Sequence, residues 1–188
     1  MRIISGKFKK NKLVLPDPKI TRPLRDYVKE SLFNLLSHSP LLKFKFNKSI
    51  ILDIFSGSGS FGIECISRGA SHATFVENNK NSFSILKKNI QDLGLENESK
   101  LILNDFLKID LKLFLPESPD LVFLDPPFES KFLQEIFEKI LKNKEQLSSS
   151  IIIVHYEENK KFNFHNYLDE IMKKKYGRSI VFFGKIKN

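Results

Sequence analysis

The stretch Ile50–Glu64 constrains this chain more than any other. Ile50, Ile51, Leu52 and Ile54 make a short strand-forming run broken only by Asp53, and Gly57, Gly59 and Gly62 follow at G-x-G-x-x-G spacing. A helix opening is expected over Ile63–Arg68. Strand, glycine turn and helix in that order let an open α/β sheet bring its backbone close to a nucleotide-like ligand. Glycine supplies positive φ and removes side chains that would block the approach. The charge beside the turn then selects the ligand. Asp53 at the strand end would repel a pyrophosphate but attract the sulfonium and ammonium of S-adenosylmethionine.

The rest of the chain arranges itself around that turn as alternating strands and helices, the pattern of a doubly wound parallel sheet. Strands are expected at Ala73–Val76, Leu101–Leu103, Asp120–Leu124 and Ile151–His155. Phe83, Leu86, Ile90 and Leu93 fall on one helical face that Gly94 stops, and Phe132, Leu133, Ile136, Phe137, Ile140 and Leu141 mark another helix. Ile171–Tyr176, a Gly177-Arg178 turn and Ser179–Ile186 read as a C-terminal antiparallel hairpin. Ahead of the core, Ile3–Ile4 and Leu13–Leu15 flank Gly6 in a small β-hairpin. A helix over Leu24–Ser37 follows, with Leu24, Val28, Leu32, Leu35 and Leu36 on one face, and Pro40 ends it. Phe44–Lys48 is a basic linker into the central strand. The expectation is one domain over 1–188, with a basic N-terminal extension at 1–45 and a catalytic core at 46–188.

At 188 residues and 41% hydrophobic, the chain is long and apolar enough to bury a proper core. No apolar run approaches the roughly 20 residues of a membrane span. A single cysteine, Cys65, excludes an intramolecular disulfide and suits a reducing cytoplasm. It sits within the helix after the glycine turn, where a small buried residue is expected. The net charge of +9 favours a polyanionic partner, nucleic acid before membrane.

Four acidic residues end four successive strands: Asp53, Glu77, Asp105 and Asp125. In an open parallel sheet the ligand lies across those strand ends. Glu77, 20 residues after Gly57, is placed to accept both hydroxyls of a ribose. Asp105 could accept from an adenine amino group, with Phe106 against the ring; a helix N-cap is its other reading. Asp125-Pro126-Pro127-Phe128 is the sharpest signal. Its prolines hold the chain extended and stiff. They present the Asp125 carboxylate and Pro126 carbonyl to an exocyclic amino group, with Phe128 to stack on the base.

Such an Asp-Pro-Pro-Phe behind a motif like Leu52–Gly59 resembles the amino-group methyltransferases of the Rossmann-like seven-strand fold. More narrowly, Met1–Phe8, Thr21-Arg22-Pro23, Val28–Asn34 and Asp125–Phe128 resemble the RsmD-type bacterial 16S rRNA guanine-N2 methyltransferases. That resemblance implies S-adenosylmethionine as cofactor, one small-subunit rRNA guanine as substrate, presented by free 16S rRNA or by the small ribosomal subunit, and a monomer with neither metal nor membrane. It implies a cofactor site of Asp53, Phe55, Ser56, Gly57, Gly59, Glu77, Asn78, Asp105 and Phe106, and a catalytic site of Asp125, Pro126, Pro127 and Phe128. Ser56 departs from the family's usual Ala. Lys7, Lys9, Lys10, Lys12, Arg22 and Arg25 are the candidate rRNA contacts, through phosphate neutralisation. An adenine-N6 nucleic-acid methyltransferase and a non-catalytic RNA-binding factor are the alternatives.

Overall fold

A computed structural model describes residues 1–16, 25–115, 117–126, 130–158 and 162–187, excluding the side chains of Ser130 and Lys131. The expected alternation is present as β1 (Ile50–Ile54), α2 (Ser60–Ser67), β2 (His72–Glu77), α3 (Lys80–Leu93), β3 (Ser99–Leu103), α4 (Leu111–Phe114), β4 (Leu121–Leu124), α5 (Ser130–Lys142), α6 (Lys144–Leu147) and β5 (Ile151–Glu157). A helix α1 (Asp26–His38) precedes them, and β6 (Leu168–Tyr176) and β7 (Ser179–Ile186) close the chain.

The seven strands lie in the order β3-β2-β1-β4-β5-β7-β6. β1 to β5 run parallel, and β7 is inserted antiparallel between β5 and β6. Period-two alternation sorts each strand's side chains onto two faces. Ile51, Phe75, Phe123, Ile153 and Phe183 face α1, α2 and α3, whereas Leu52, Val76, Val122, Ile152 and Phe182 face α5. Both faces are covered, so the strands read as nearly unbroken apolar runs. Asn79 caps α3 by accepting from the backbone N–H groups of Asn81 and Ser82, and Gly94 (φ 64°) ends it in the left-handed region.

The N-terminal extension packs against this core. Arg2 and Lys12 bridge antiparallel, Ile3 N donates to Asn11 O at 2.9 Å, and Lys10 N donates to Ile3 O at 2.9 Å. The turn between them presses on the end of α2. A Cβ at Gly6 would lie 1.7 Å from the Ser67 carbonyl oxygen, so only glycine fits there, at a φ of +83°. Lys7 N donates to that same oxygen at 2.7 Å. Glu64, fully buried on α2, accepts from Ile4 N at 2.8 Å and Ser5 N at 3.0 Å, and pairs with Lys29 of α1 and with Arg68. This explains a difference from the expected α1 face. Lys29 and Phe33 join Val28, Leu32 and Leu36 as buried residues, while Leu35 is only partly covered, because α1 meets a buried carboxylate as well as apolar core.

Candidate active site

In this strand order the chain reverses direction across the sheet between β1 and β4, the switch point at which open α/β sheets bind ligands. Asp53 on β1 and Asp125 just past β4 flank that point. Asp53 is turned under the first turn of α2, where its Oδ2 accepts from Gly62 N at 3.0 Å, and only 1% of its surface is exposed. Burial raises its pKa to about 8, and the nearby carboxylates of Asp125 and Glu77 push the same way, against the Gly62 hydrogen bond. Burial thus favours the protonated form of Asp53 in the ligand-free protein. Two of the three glycines answer to packing. A Cβ at Gly59 would meet Leu86 at 2.4 Å, and one at Gly62 would meet the Phe75 ring at 2.4 Å.

Glu77, at the end of β2, closes the glycine loop. Its Oε2 accepts from Gly57 N and its Oε1 from Asn79 N, each at 2.8 Å, with Asn78 exposed beside it. Ser56 is buried and donates its hydroxyl to the carbonyls of Asp53 and Val76, so its polar group is satisfied by the loop's own backbone. Phe55 sits at a φ of +63°, a strained conformation for a bulky side chain, of the kind that persists where a functional loop is over-determined. Its ring lies 6.3 Å from that of Phe106 and 5.7 Å from that of Phe132. Asp105 caps a short 3-10 turn (Phe106–Lys108), with Oδ1 accepting from Leu107 N at 3.0 Å. Phe106 is almost fully buried beneath it.

Asp125, half-buried, lies just past the end of β4 and is followed by the buried Pro126. Pro127 and Phe128 lie outside the described residues. Asp125 has a partner that sequence reasoning missed, His155 on β5, whose Nδ1 lies 2.8 Å from Asp125 Oδ1. Burial alone would lower the imidazole's pKa, but the charge of Asp125 and its hydrogen bond outweigh that and hold it above the ordinary value. The signal for His155 was a polar residue ending the apolar run Ile151–Val154. Its meaning needed the register, which sets Leu124 against Val154.

Asp53, Glu77 and Asp125 thus converge within electrostatic reach of one another. The basic candidates do not join them. Lys7 is docked on Ser67 at the far end of α2 from the glycine loop, about 12 Å along an eight-residue helix. Lys9, Lys10 and Lys12 belong to the same hairpin and are exposed, as is Arg25 at the start of α1. Arg22 lies outside the described residues. Cys65 is fully buried, and burial pushes its thiol pKa well up, which leaves it inert. Among the described residues no group of His, Cys, Asp and Glu is arranged to hold a metal, and no helix is long and apolar enough to cross a membrane.

The architecture is shared with solved structures. That of yhhF from Escherichia coli superposes with a TM-score of 0.79 at 27% identity, covering 100% of this chain and 98% of that one. An RNA methyltransferase from Salinibacter ruber, solved with S-adenosyl-L-homocysteine, shares the fold at a TM-score of 0.64 and 15% identity, over 88% and 94% of the two chains. Fold and site together define a Rossmann-like methyltransferase. Among sequence relatives, Ribosomal RNA small subunit methyltransferase D of Haemophilus influenzae is 36% identical over 167 residues, 85% of this chain and 80% of that protein. Its counterpart in Buchnera aphidicola subsp. Baizongia pistaciae is 35% identical over 159 residues, 84% of this chain and 76% of that one. The family model described as Conserved hypothetical protein 95 matches residues 1–185, and the chain belongs to this family, that of the RsmD-type methyltransferases.

Proposed function

We propose that this chain transfers a methyl group from S-adenosylmethionine to the exocyclic N2 of one guanine in small-subunit rRNA, acting as a cytoplasmic monomer. The observation that carries this reading is the Asp125 carboxylate at the switch point, held by His155 through Oδ1 and followed at once by Pro126.

The residues at the strand ends fit the cofactor. Each oxygen of Glu77 already accepts one backbone N–H, which leaves a lone pair on each for the two hydroxyls of a ribose. Asp105, with Oδ1 committed to Leu107 N, offers Oδ2 to an adenine amino group. Asp53, Glu77 and Asp125 make the neighbourhood favourable to a cation. Bound there, S-adenosylmethionine supplies an electrophilic methyl group.

Guanine N2 is a poor nucleophile because its lone pair is delocalised into the ring. Asp125 Oδ2 and the Pro126 carbonyl accept its two N–H groups, draw the nitrogen towards a tetrahedral shape and free the lone pair for in-line attack. Asp125 then receives the proton that the methylated amine sheds. His155 fixes the carboxylate so that Oδ1 is occupied and Oδ2 faces the base. Phe128 stacks on the flipped ring, an interaction worth about 1–3 kcal/mol. Most of the rate comes from positioning, since no covalent intermediate is needed.

Incubation with methyl-labelled S-adenosylmethionine and undermethylated rRNA, followed by nucleoside digestion, tests the reading. N2-methylguanosine is the expected product. Label in N6-methyladenosine would transfer the reading to an adenine enzyme, and no label with intact RNA binding would leave a non-catalytic binding factor.

A further inference from the structure

The opposite edge of the sheet carries a surface that the chemistry at Asp125 does not use. Residues 42–49 enter β1 there. All of them except Phe46 line a concave site of about 440 Å³ together with Asp120, Ser149, Ile151 and Lys185, at the N-terminal ends of β1, β4 and β5 and the C-terminal end of β7. Lys43, Lys45, Lys48 and Lys185 are its cations, and all four are exposed. Its one carboxylate, Asp120, is already accepting from Ile50 N at 2.8 Å. Asp169 stands opposite Lys185 in the strand register, but among the described residues none of the four lysines is in an ion pair.

The loop that bears these lysines is a fixed platform. Leu42 and Phe46 are buried, and Phe46 stacks on Phe33 at 5.9 Å and lies 5.6 Å from the Arg68 guanidinium. Lys48 N donates to Gly69 O, and the Ser49 hydroxyl donates to Phe46 O. Lys43 and Lys48 sit at φ of 49° and 63°, left-handed conformations that persist only where the surrounding structure enforces them. Leu42 and Phe46 are buried and Phe44 is half-buried, whereas Lys43, Lys45 and Asn47 are exposed and line the same concave site. Lys7, anchored on Ser67 two residues from Gly69, extends the same basic edge.

We propose that this edge is a second RNA-binding surface, where Lys43, Lys45, Lys48 and Lys185 hold the phosphate backbone at the opposite end of the molecule from the reacting base. The inference rests on rRNA being the substrate. Asp120 in this site and Asp125 in the active site are separated by the length of β4, about 17 Å for five extended residues. One nucleotide does not reach both. The partner is therefore an RNA that wraps around the enzyme, and the chain is built to discriminate a long, folded rRNA from a short fragment carrying the same guanine.

Two triple variants test this, Lys43→Glu/Lys45→Glu/Lys48→Glu and the milder Lys43→Gln/Lys45→Gln/Lys48→Gln. Both should bind S-adenosylhomocysteine as the wild type does, which also reports folding, and the glutamine set covers a failure of the glutamate set to fold. On intact rRNA, KM should rise roughly tenfold or more, and the log–log salt slope of binding should flatten by about 0.7–0.9 for each phosphate no longer neutralised. On a short fragment containing the guanine methylated by the wild type, kcat and KM should stay unchanged. An unchanged salt slope and KM on intact rRNA would overturn the inference. So would normal binding to naked rRNA with activity abolished only on assembled subunits, which would assign the surface to a ribosomal protein. If the wild type methylates neither free rRNA nor assembled small subunits, the proposed function fails instead.

Discussion

Asp53 shows how one carboxyl group can be both a liability to the fold and a means of choosing a ligand. With its folded pKa at about 8 against 3.8 as the ordinary value, the native state keeps a proton that the unfolded chain releases. Stability therefore falls as pH rises from about 4 to about 8, the reverse of the usual carboxylate. Asp53→Asn keeps an acceptor for Gly62 N without the titration, so the ligand-free variant should melt higher than wild type at pH 8 and close to it at pH 4. A cationic ligand favours the ionised form, so calorimetry at pH 7 in buffers of different ionisation enthalpy should show proton release on S-adenosylmethionine binding, absent from the variant. At Asp125 the expected split is different. Asp125→Ala should abolish methyl transfer and leave cofactor affinity nearly unchanged, as single-turnover assays and calorimetry would show. His155 acts through Asp125, so His155→Asn should lower kcat while KM for cofactor holds. Near-normal turnover in the Asp125 variant would reduce the whole motif to a turn.

At the scale of elements, the hairpin, α1 and α2 are joined through Glu64. Its carboxylate is fully buried and meets two backbone N–H groups, the Lys29 ammonium at 3.2 Å and the Arg68 guanidinium at 2.8 Å. Burial already lowers the pKa of Lys29, with Glu64 opposing the shift. Glu64→Gln should leave Lys29 buried without its counter-charge and cost about 3–5 kcal/mol, measured by urea unfolding. Nothing local announced this network. A Glu four residues before an Arg on a helix reads as an exposed pair, and Lys29 as the polar side of α1, until the hairpin is placed on both. The parallel strands, by contrast, were legible, because runs such as Ile50–Ile54 and Leu121–Leu124 are buried on both faces. The C-terminal hairpin was legible from its Gly-Arg turn. That its second strand, β7, inserts beside β5 was not, because strand order depends on long-range pairing that no local pattern encodes. The same limit hid His155, and it kept from view that the basic hairpin docks at the far end of α2 from the glycine loop.

At the scale of the whole molecule, three acidic strand ends sit at one edge of a chain whose net charge is +9, and lysines crowd the other. The acidic edge has a thermodynamic signature that needs no RNA. A ligand that binds only the folded state stabilises it by RT ln(1 + [L]/Kd), about 2.7 kcal/mol at a hundredfold excess over Kd. A chain of this size gains about 2–4 °C of Tm for each kcal/mol. S-adenosylhomocysteine or S-adenosylmethionine at that excess should thus raise Tm by roughly 5–11 °C. NAD, whose pyrophosphate would meet the carboxylates of Glu77 and Asp125, should leave it unmoved. Because Asp53 must ionise to favour the sulfonium, the Kd for S-adenosylmethionine should tighten between pH 6 and pH 8.5, and Asp53→Asn should remove that trend. S-adenosylhomocysteine lacks the sulfonium charge and should show a weaker pH dependence. Equal shifts with NAD, or pH trends identical for the two sulfur ligands, would mean that the carboxylates at the switch point do not select the cofactor by charge.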